Sequence, residues 1–313
     1  MPGATALLVL LSVLVTLFWG QNAGLSDNGD FARVMEVNRI HPTGDGQSSF
    51  LFQQYYVMEV AEGGLLRQIL SLFDTDTESV PYWSPQFVPI QISKVLNLAY
   101  NHIVGSNVDG YNLGFLAVLY ALLLALAAWL CVRHLPRGTL PKRIFAAVLL
   151  LGIFCDAGYV LYFHSFYGEA LQMVTLMLAV GLWLRLFEDI RRPLAWVALY
   201  VTLYFFGGAK LANIPIACLF GAASLLLLLR GSSVLQRAVS GVLCAALIVS
   251  QAALYTAIPD WMQNDTNYQA VFFGVLKNSE TPEQDLQELG LDPAYAVLAG
   301  THAYQPSYPM DIY

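Results

Sequence analysis

The chain has 313 residues, of which 57% are hydrophobic and only 12% are charged, and its formal net charge is −7. Soluble domains carry about 25% charged residues, so this composition excludes an ordinary soluble protein. The four cysteines all fall inside apolar stretches, which leaves the polar segments without a disulfide framework. No basic patch or paired-cysteine motif indicates nucleic-acid binding.

Long apolar segments dominate the sequence, and each predicts a transmembrane helix. In chain order the seven predicted spans are 4–20, 111–132, 144–163, 170–187, 194–206, 211–229 and 238–258. The first could be a cleaved signal peptide, but no Lys or Arg precedes it, which favours a retained helix. The sequence therefore predicts an all-α polytopic membrane protein.

The basic residues predict the orientation of these spans. Most of the 15 Lys and Arg residues fall in three short connections, after the second, fourth and sixth spans. They are Arg133, Arg137, Lys142, Arg143, Arg185, Arg191, Arg192, Arg230 and Arg237. Because positive charge marks cytoplasmic connections, we predict a cytoplasmic N-terminus and an extracytoplasmic C-terminal tail.

The first extracytoplasmic segment, 21–110, is too long to be a simple connector and should fold on the membrane surface. The helical spacing of Phe31, Val34 and Met35 predicts one short interfacial helix. A partly apolar face predicts a second helix at about 86–104.

Other polar regions give weaker predictions. The aromatic-rich segment 50–60 is compatible with a strand or a helix. In the tail, the stretch from Thr281 to Gln284 predicts a capped helix start and Gly290 its end. We divide the chain into a transmembrane module, 1–258, and an extracytoplasmic helical tail, 259–313.

Two carboxylates follow the first span closely. Asp27 and Asp30 flank Asn28-Gly29, a pair that favours a tight turn and could point both acids at one spot. Acids at the membrane boundary can take a proton, hold a divalent cation or simply be solvated.

Two further acids lie near the predicted outer surface. Asp156 falls inside the third span, where a carboxylate is costly, so it forms either the polar floor of an outward-facing pocket or a protonated partner of a neighbouring helix. It lies about two helical turns from His164, in the next outer turn. Glu169 opens the fourth span, where it can serve a site or complement the helix dipole.

The fifth span, 194–206, is short for a membrane crossing. We therefore predict that the turn Gly207–Lys210 dips below the outer surface and lines a cavity. Lys210 and Asn213 would project a cation and an amide into it, a combination suited to phosphate. Alternatively, Lys210 extends its ammonium to the lipid headgroups.

These motifs together resemble the GT-C class of membrane glycosyltransferases. That class places a catalytic acid in the first outer loop and a second acidic motif in the next, which Asp27-Asn28-Gly29-Asp30 and Tyr167-Gly168-Glu169 match. Its seven-helix module and its interfacial helices between spans one and two also match the layout. More narrowly, the chain looks like the bacterial hexose transferases of surface-glycan biosynthesis. Such proteins usually carry further helices, so we expect a truncated or minimal chain.

The resemblance implies a polyprenyl-phosphate sugar donor and a glycan or lipid-linked acceptor, at the outer face of a bacterial inner membrane. Asp27 or Asp30 would be the general base, and direct displacement would invert the anomeric centre. The other acid, with Glu169, would position the acceptor or bind a divalent cation such as Mg²⁺ or Mn²⁺. Lys210, helped by Arg33 and His164, would stabilise the departing lipid phosphate.

A competing interpretation is a non-enzymatic transporter or a lipid-binding scaffold for polyprenyl-linked glycans. A transporter would more often show inverted repeats and broken helices near the midplane. Here the polar residues gather towards one face, which favours chemistry at the membrane surface.

Overall fold

The computed structural model describes residues 1–44, 51–73, 83–135 and 138–303. Contacts within the chain define two units, Met1–Tyr255 and Thr256–Tyr313. Arg137 lies outside the described residues.

The first part of the larger unit is an apolar helix followed by a surface region of short helices and strands. Its elements are α1 (Pro2–Phe18), α2 (Phe31–Val37), β1 (Ile40–Pro42), β2 (Tyr55–Met58), α3 (Leu65–Ser71), α4 (Phe87–Val104) and β3 (Gly110–Asn112). Both predicted surface helices are present, as α2 and α4. The ambiguous aromatic segment contains a strand.

The three strands form a small antiparallel sheet in the order β1-β2-β3. Ile40 lies opposite Met58, and Tyr56 lies opposite Tyr111. All four side chains are buried, so one face of the sheet packs into the protein core. The sequence analysis did not predict this sheet, because strands of three or four residues carry little alternating pattern of their own.

The rest of the larger unit is a series of apolar helices. They are α5 (Gly114–Arg133), α6 (Leu140–Phe154), α7 (Ala157–Val160), α8 (Gly168–Glu188), α9 (Pro193–Ala209), α10 (Ile214–Ser224) and α11 (Val234–Thr256). Short 3₁₀ turns continue α7 to His164, precede α10 from Leu211 and extend it to Arg230.

Several of these helices can cross a membrane. In the described part of the chain, four meet the length and hydropathy of a span: α5, α8, Leu211–Arg230 and α11. The α6–α7 pair passes only as a bent unit, and α1 and α9 are shorter apolar helices. The predicted multi-pass helical membrane protein is confirmed, while the count of seven crossings stays a prediction.

The third predicted span is not a continuous helix. It bends by 61° between Leu140–Phe154 and Ala157–His164. The break falls at Asp156, whose backbone is extended and whose Oδ1 accepts a hydrogen bond of 2.8 Å from Gly158 N. Asp therefore caps a new helix instead of continuing the old one, a local competition typical of this residue.

The fifth predicted span is longer than expected. Gly207 and Gly208 belong to α9, so the predicted Gly207–Lys210 turn begins only at Lys210. Both glycines sit against neighbours: a Cβ at Gly207 would collide with Gln251, and one at Gly208 with Pro85. Close approach, rather than a loop, explains these glycines.

Helix α8 packs against both α5 and α9, and α1 packs against α5. At Gly181 a Cβ would lie only 2.7 Å from Leu130 Cβ, so the absence of a side chain lets α8 approach α5 closely. The main core is built from α1, α5 and the turn before α8, with Leu17, Tyr120 and Phe166 fully buried.

The second unit has its own apolar cluster. It contains α12 (Asp260–Tyr268), a π-helical segment Gln269–Val275, α13 (Pro282–Glu288) and a final 3₁₀ helix, Pro293–Leu298. Tyr268, Phe272, Leu276, Leu286 and Leu298 form the cluster.

The helix predicted in this unit begins and ends near the expected residues. Gly290 has φ of 75° just after α13, which confirms its role as the helix stop. The predicted capping box is wrong, however, because the Thr281 side chain makes no capping hydrogen bond.

Candidate functional site

The acidic loop after α1 is shaped by Asp27. Its Oδ1 accepts hydrogen bonds from Gly29 N at 2.8 Å and from Phe31 N at 3.0 Å. Gly29 has φ of 108°, a conformation that favours glycine. The carboxylate thus closes the predicted tight turn and satisfies an N–H at the start of α2, with Oδ2 left for another partner.

Asp30 has a different environment. It forms an ion pair with Arg33, with 3.4 Å between Oδ1 and Nη2, one turn along α2. Both side chains are exposed to a large extent. Asp30 directly precedes α2, but it is Asp27 that accepts a hydrogen bond from the first helical N–H, that of Phe31.

Tyr167 joins the acidic loop to the turn before α8. Its hydroxyl donates to Ser26 O at 2.9 Å and accepts from Asn28 N at 3.0 Å. Its ring also packs edge-on against Phe31, with 4.7 Å between centroids. These contacts cross 139 residues of sequence and fix the loop beside the start of α8.

The phenol of Tyr167 stays neutral in this position. Burial raises its pKa, the hydrogen bond from Asn28 N lowers it, and the carboxylates of Asp27, Asp30 and Glu169 raise it further. The influence of all three acids on one hydroxyl indicates that they lie near it.

Glu169 and Lys210 meet across the gap between α8 and α9. Glu169 Oε1 accepts from Lys210 Nζ in an ion pair, and the Lys210 side chain is 46% exposed. Glu169 Oε2 is buried and has no hydrogen-bond partner among the described residues. The pair therefore combines a solvent-accessible cation with a buried carboxylate oxygen that has no partner among the described residues.

Backbone contacts bring this pair together. A Cβ at Gly168 would collide with Ala209 O, so only glycine lets the two chains approach there. Buried Gln86 supports the same turn, since its Nε2 donates to Phe166 O at 2.6 Å. We did not predict roles for Tyr167 or Gln86, and only the motif position of Tyr167 could have signalled one.

The far end of α2 is held by a buried lysine that the sequence analysis also missed. Lys94 Nζ donates to Asn38 O at 2.6 Å, and Gln91 Nε2 donates to Asn38 Oδ1 at 3.1 Å. Burial lowers the pKa of Lys94 to about 7, against an opposing effect of Glu59 and a smaller lowering by Arg39. Asp27 at one end and Lys94 at the other thus fix α2.

Three predicted site residues have other contacts. His164 is fully buried, and its Nδ1 donates to Ala23 O at 2.9 Å. Asn213 is also buried, and its Nδ2 donates to Phe206 O at 3.1 Å. Asp156 is exposed and caps α7, a local role that we did not predict for it.

The arrangement does not form a ready metal site. In the residues that the structure describes, no group of three or more His, Cys, Asp or Glu side chains is placed to hold a metal ion. Asp30 is paired with Arg33, and Glu169 is paired with Lys210.

Apolar helices and a polar site at their ends define a multi-pass membrane protein. The sequence model of the YfdI N-terminal transmembrane domain matches residues 3–312, so the chain belongs to this family. No curated protein and no solved structure matches the chain.

Proposed function

We propose that this protein is a GT-C-type membrane glycosyltransferase, acting at the outer face of a bacterial inner membrane. It would transfer a hexose from a polyprenyl-phosphate donor to a glycan or lipid-linked acceptor. The observation that carries the proposal is that Tyr167 ties the acidic loop to the turn before α8, where Glu169 pairs with Lys210. The family match and the resemblance to GT-C enzymes support it.

In the proposed reaction, Asp27 takes the proton of an acceptor hydroxyl. The acceptor oxygen forms a bond to the sugar C1 while the bond from C1 to the phosphate oxygen breaks, which inverts the anomeric centre. Polyprenyl phosphate leaves with the bonding electron pair. Asp27 suits the role of base because Oδ1 is held by two backbone N–H groups, which orient Oδ2.

Lys210 is the proposed partner of the leaving phosphate. Its ammonium is exposed and held near the acidic loop by Glu169, so a phosphate oxygen could replace or share the carboxylate. Positive charge at this point would stabilise the negative charge that develops as the C1–O bond breaks. Once phosphate has replaced the carboxylate on Lys210, the Glu169 side chain would be free to turn towards the acceptor and accept a hydrogen bond from it.

Asp30 and Arg33 are proposed to support the acceptor side of the loop, because their ion pair lies one turn along α2. We derive no metal-dependent step, since the acids do not converge as metal ligands do.

The direct test is sugar transfer by the purified chain in detergent. Radiolabelled glucosyl, galactosyl and mannosyl polyprenyl phosphates would be supplied with lipid-linked glycans extracted from producing cells. We expect label in the glycan, one polyprenyl phosphate released per sugar, and inverted anomeric configuration. Saturable donor binding without transfer of any of the three sugars would instead indicate a lipid-binding scaffold.

A further inference from the structure

The end of the helical unit opposite Glu169 contains a basic cavity. It has a volume of about 700 Å³ and lies where the connections after α5, α8 and α10 meet. Its lining includes Arg133, His134, Arg143, Phe187, Glu188 and Arg230. The sequence predicted these three connections to share one face because they are rich in Lys and Arg, and the cavity shows that they converge.

Positive charge exceeds negative charge in this cavity. Three arginines face one carboxylate, and that carboxylate is already engaged, with 2.5 Å between Glu188 Oε2 and His134 Nδ1. An anion that enters therefore meets guanidinium groups whose charge is largely uncompensated.

Two of the arginines are prepared to bind a ligand. Arg143 Nε is buried and has no hydrogen-bond partner in the described part of the chain, an unfavourable state that an oxygen ligand would relieve. Arg230 is held in place, since it donates to Phe187 O and its Cζ lies 4.2 Å above the Phe187 ring. A fixed guanidinium recognises phosphate oxygens well, because its N–H groups form a rigid fork.

The surroundings of the cavity suit a lipid more than a soluble anion. Leu229, next to Arg230, is 81% exposed, and Ile144, next to Arg143, is 45% exposed. In a multi-pass membrane protein such aliphatic side chains contact acyl chains. A basic pocket bordered by them at helix ends matches the chemistry of an anionic phospholipid, with its phosphate in the pocket and its tails alongside.

We infer that this cavity binds the headgroup phosphate of an anionic phospholipid. The site is separate from the proposed sugar-transfer site, which lies at the other end of α8. It would anchor the connections after α5, α8 and α10 to the lipid surface.

Native mass spectrometry of the purified full chain tests this inference. The protein would be mixed with phosphatidylglycerol or phosphatidylcholine, and bound lipid counted with and without inorganic phosphate as competitor. We expect selective retention of phosphatidylglycerol. Loss of charge-assisted hydrogen bonds in Arg143→Gln and Arg230→Gln should weaken it by about tenfold or more.

Arg191→Gln is the matched control, because Arg191 is an exposed arginine in one of the same connections but does not line the cavity. It should retain the lipid as the parent does. Equal binding of both lipids by the parent would overturn the inference, as would equal losses in all three variants. Displacement of phosphatidylglycerol by millimolar phosphate would point to a site for free phosphate instead.

Discussion

Helix α8 joins two chemically different ends of the same unit. Glu169 lies in its first turn and Glu188 is its last residue, and its 21 residues correspond to about 30 Å. At the Glu169 end each acid has a specific partner: backbone N–H groups for Asp27, Arg33 for Asp30 and Lys210 for Glu169. At the Glu188 end, arginines exceed carboxylates.

This difference suggests that the two ends of α8 have different functions. Partnered acids held in fixed positions suit a reaction that moves a proton and a sugar, because catalytic groups must be oriented before substrate binds. Uncompensated arginines beside exposed aliphatic side chains suit attraction to an anionic lipid surface.

The largest expected effect concerns the sides of the membrane on which these ends lie. Exposed Ser106 belongs to the predicted outer region, and exposed Thr139 to a basic connection. In intact cells an impermeant thiol reagent should label Ser106→Cys but not Thr139→Cys, and permeabilisation should make both react. Labelling of the unsubstituted protein gives the background from its four native cysteines. The reverse pattern would contradict the orientation.

The apolar helices, α2 and α4 could be predicted from sequence, because hydropathy patterns act locally. The orientation and the count of seven crossings stay predictions. The sheet could not be predicted, since its third strand, Gly110–Asn112, is far in sequence from β1 and β2. We did not predict the helix break at Asp156, because the residues around it are apolar and favoured one continuous span. Its capping hydrogen bond with Gly158 N became visible only in the structure.

For the candidate site, sequence identified the residues but not their partners. Asp27, Glu169 and Lys210 were chosen by type and position. Tertiary packing brings Lys210 to Glu169, 41 residues away, and Tyr167 to Ser26 and Asn28. The burial of His164 could not be predicted, because the rings of Phe18 and Phe52 that pack against it are distant in sequence.

The next effect concerns Lys210, the cation that pairs with Glu169 near the start of α8. Lys210→Met keeps much of the side-chain length but removes the charge. A hydrogen bond to a charged group contributes about 1.5–3 kcal/mol, so donor affinity should fall by about 10–100-fold. The measurement is the affinity for a polyprenyl-phosphate sugar. Lys142→Met, which removes an exposed lysine near the start of α6, is the control. Unchanged affinity in Lys210→Met would favour a lysine that only reaches the headgroups.

A smaller effect is expected where Tyr167 connects the two motifs. Tyr167→Phe keeps the ring contact with Phe31 but removes hydrogen bonds to Ser26 and Asn28, each worth about 0.5–1.5 kcal/mol. We expect kcat for sugar transfer to fall by about tenfold, with KM for the donor unchanged. Tyr159→Phe, at an exposed position, should behave as the parent. A fall in thermal stability with unchanged kcat would indicate a purely structural role.

Away from the site, we expect a pH dependence of the unfolding free energy that arises from Lys94. Folded Lys94 releases its proton near pH 7 because burial lowers its pKa to about 7, whereas an unfolded lysine keeps its proton to about pH 10.4. The unfolded state binds more protons between these values, so stability should rise from pH 7 to pH 9. Thermal unfolding of the parent should show this rise, and Lys94→Met should reduce it. Identical pH profiles would exclude Lys94 as the source.

The central claim is that Asp27 is the base for sugar transfer. Asp27→Asn is the sharpest change, because an amide oxygen can still accept from Gly29 N and Phe31 N but cannot take the proton. The measurement is the single-turnover rate of transfer from a polyprenyl-phosphate hexose, with Asp109→Asn as control. We predict a fall of about 10²–10⁴-fold with donor binding retained. A rate close to that of the parent would contradict the account.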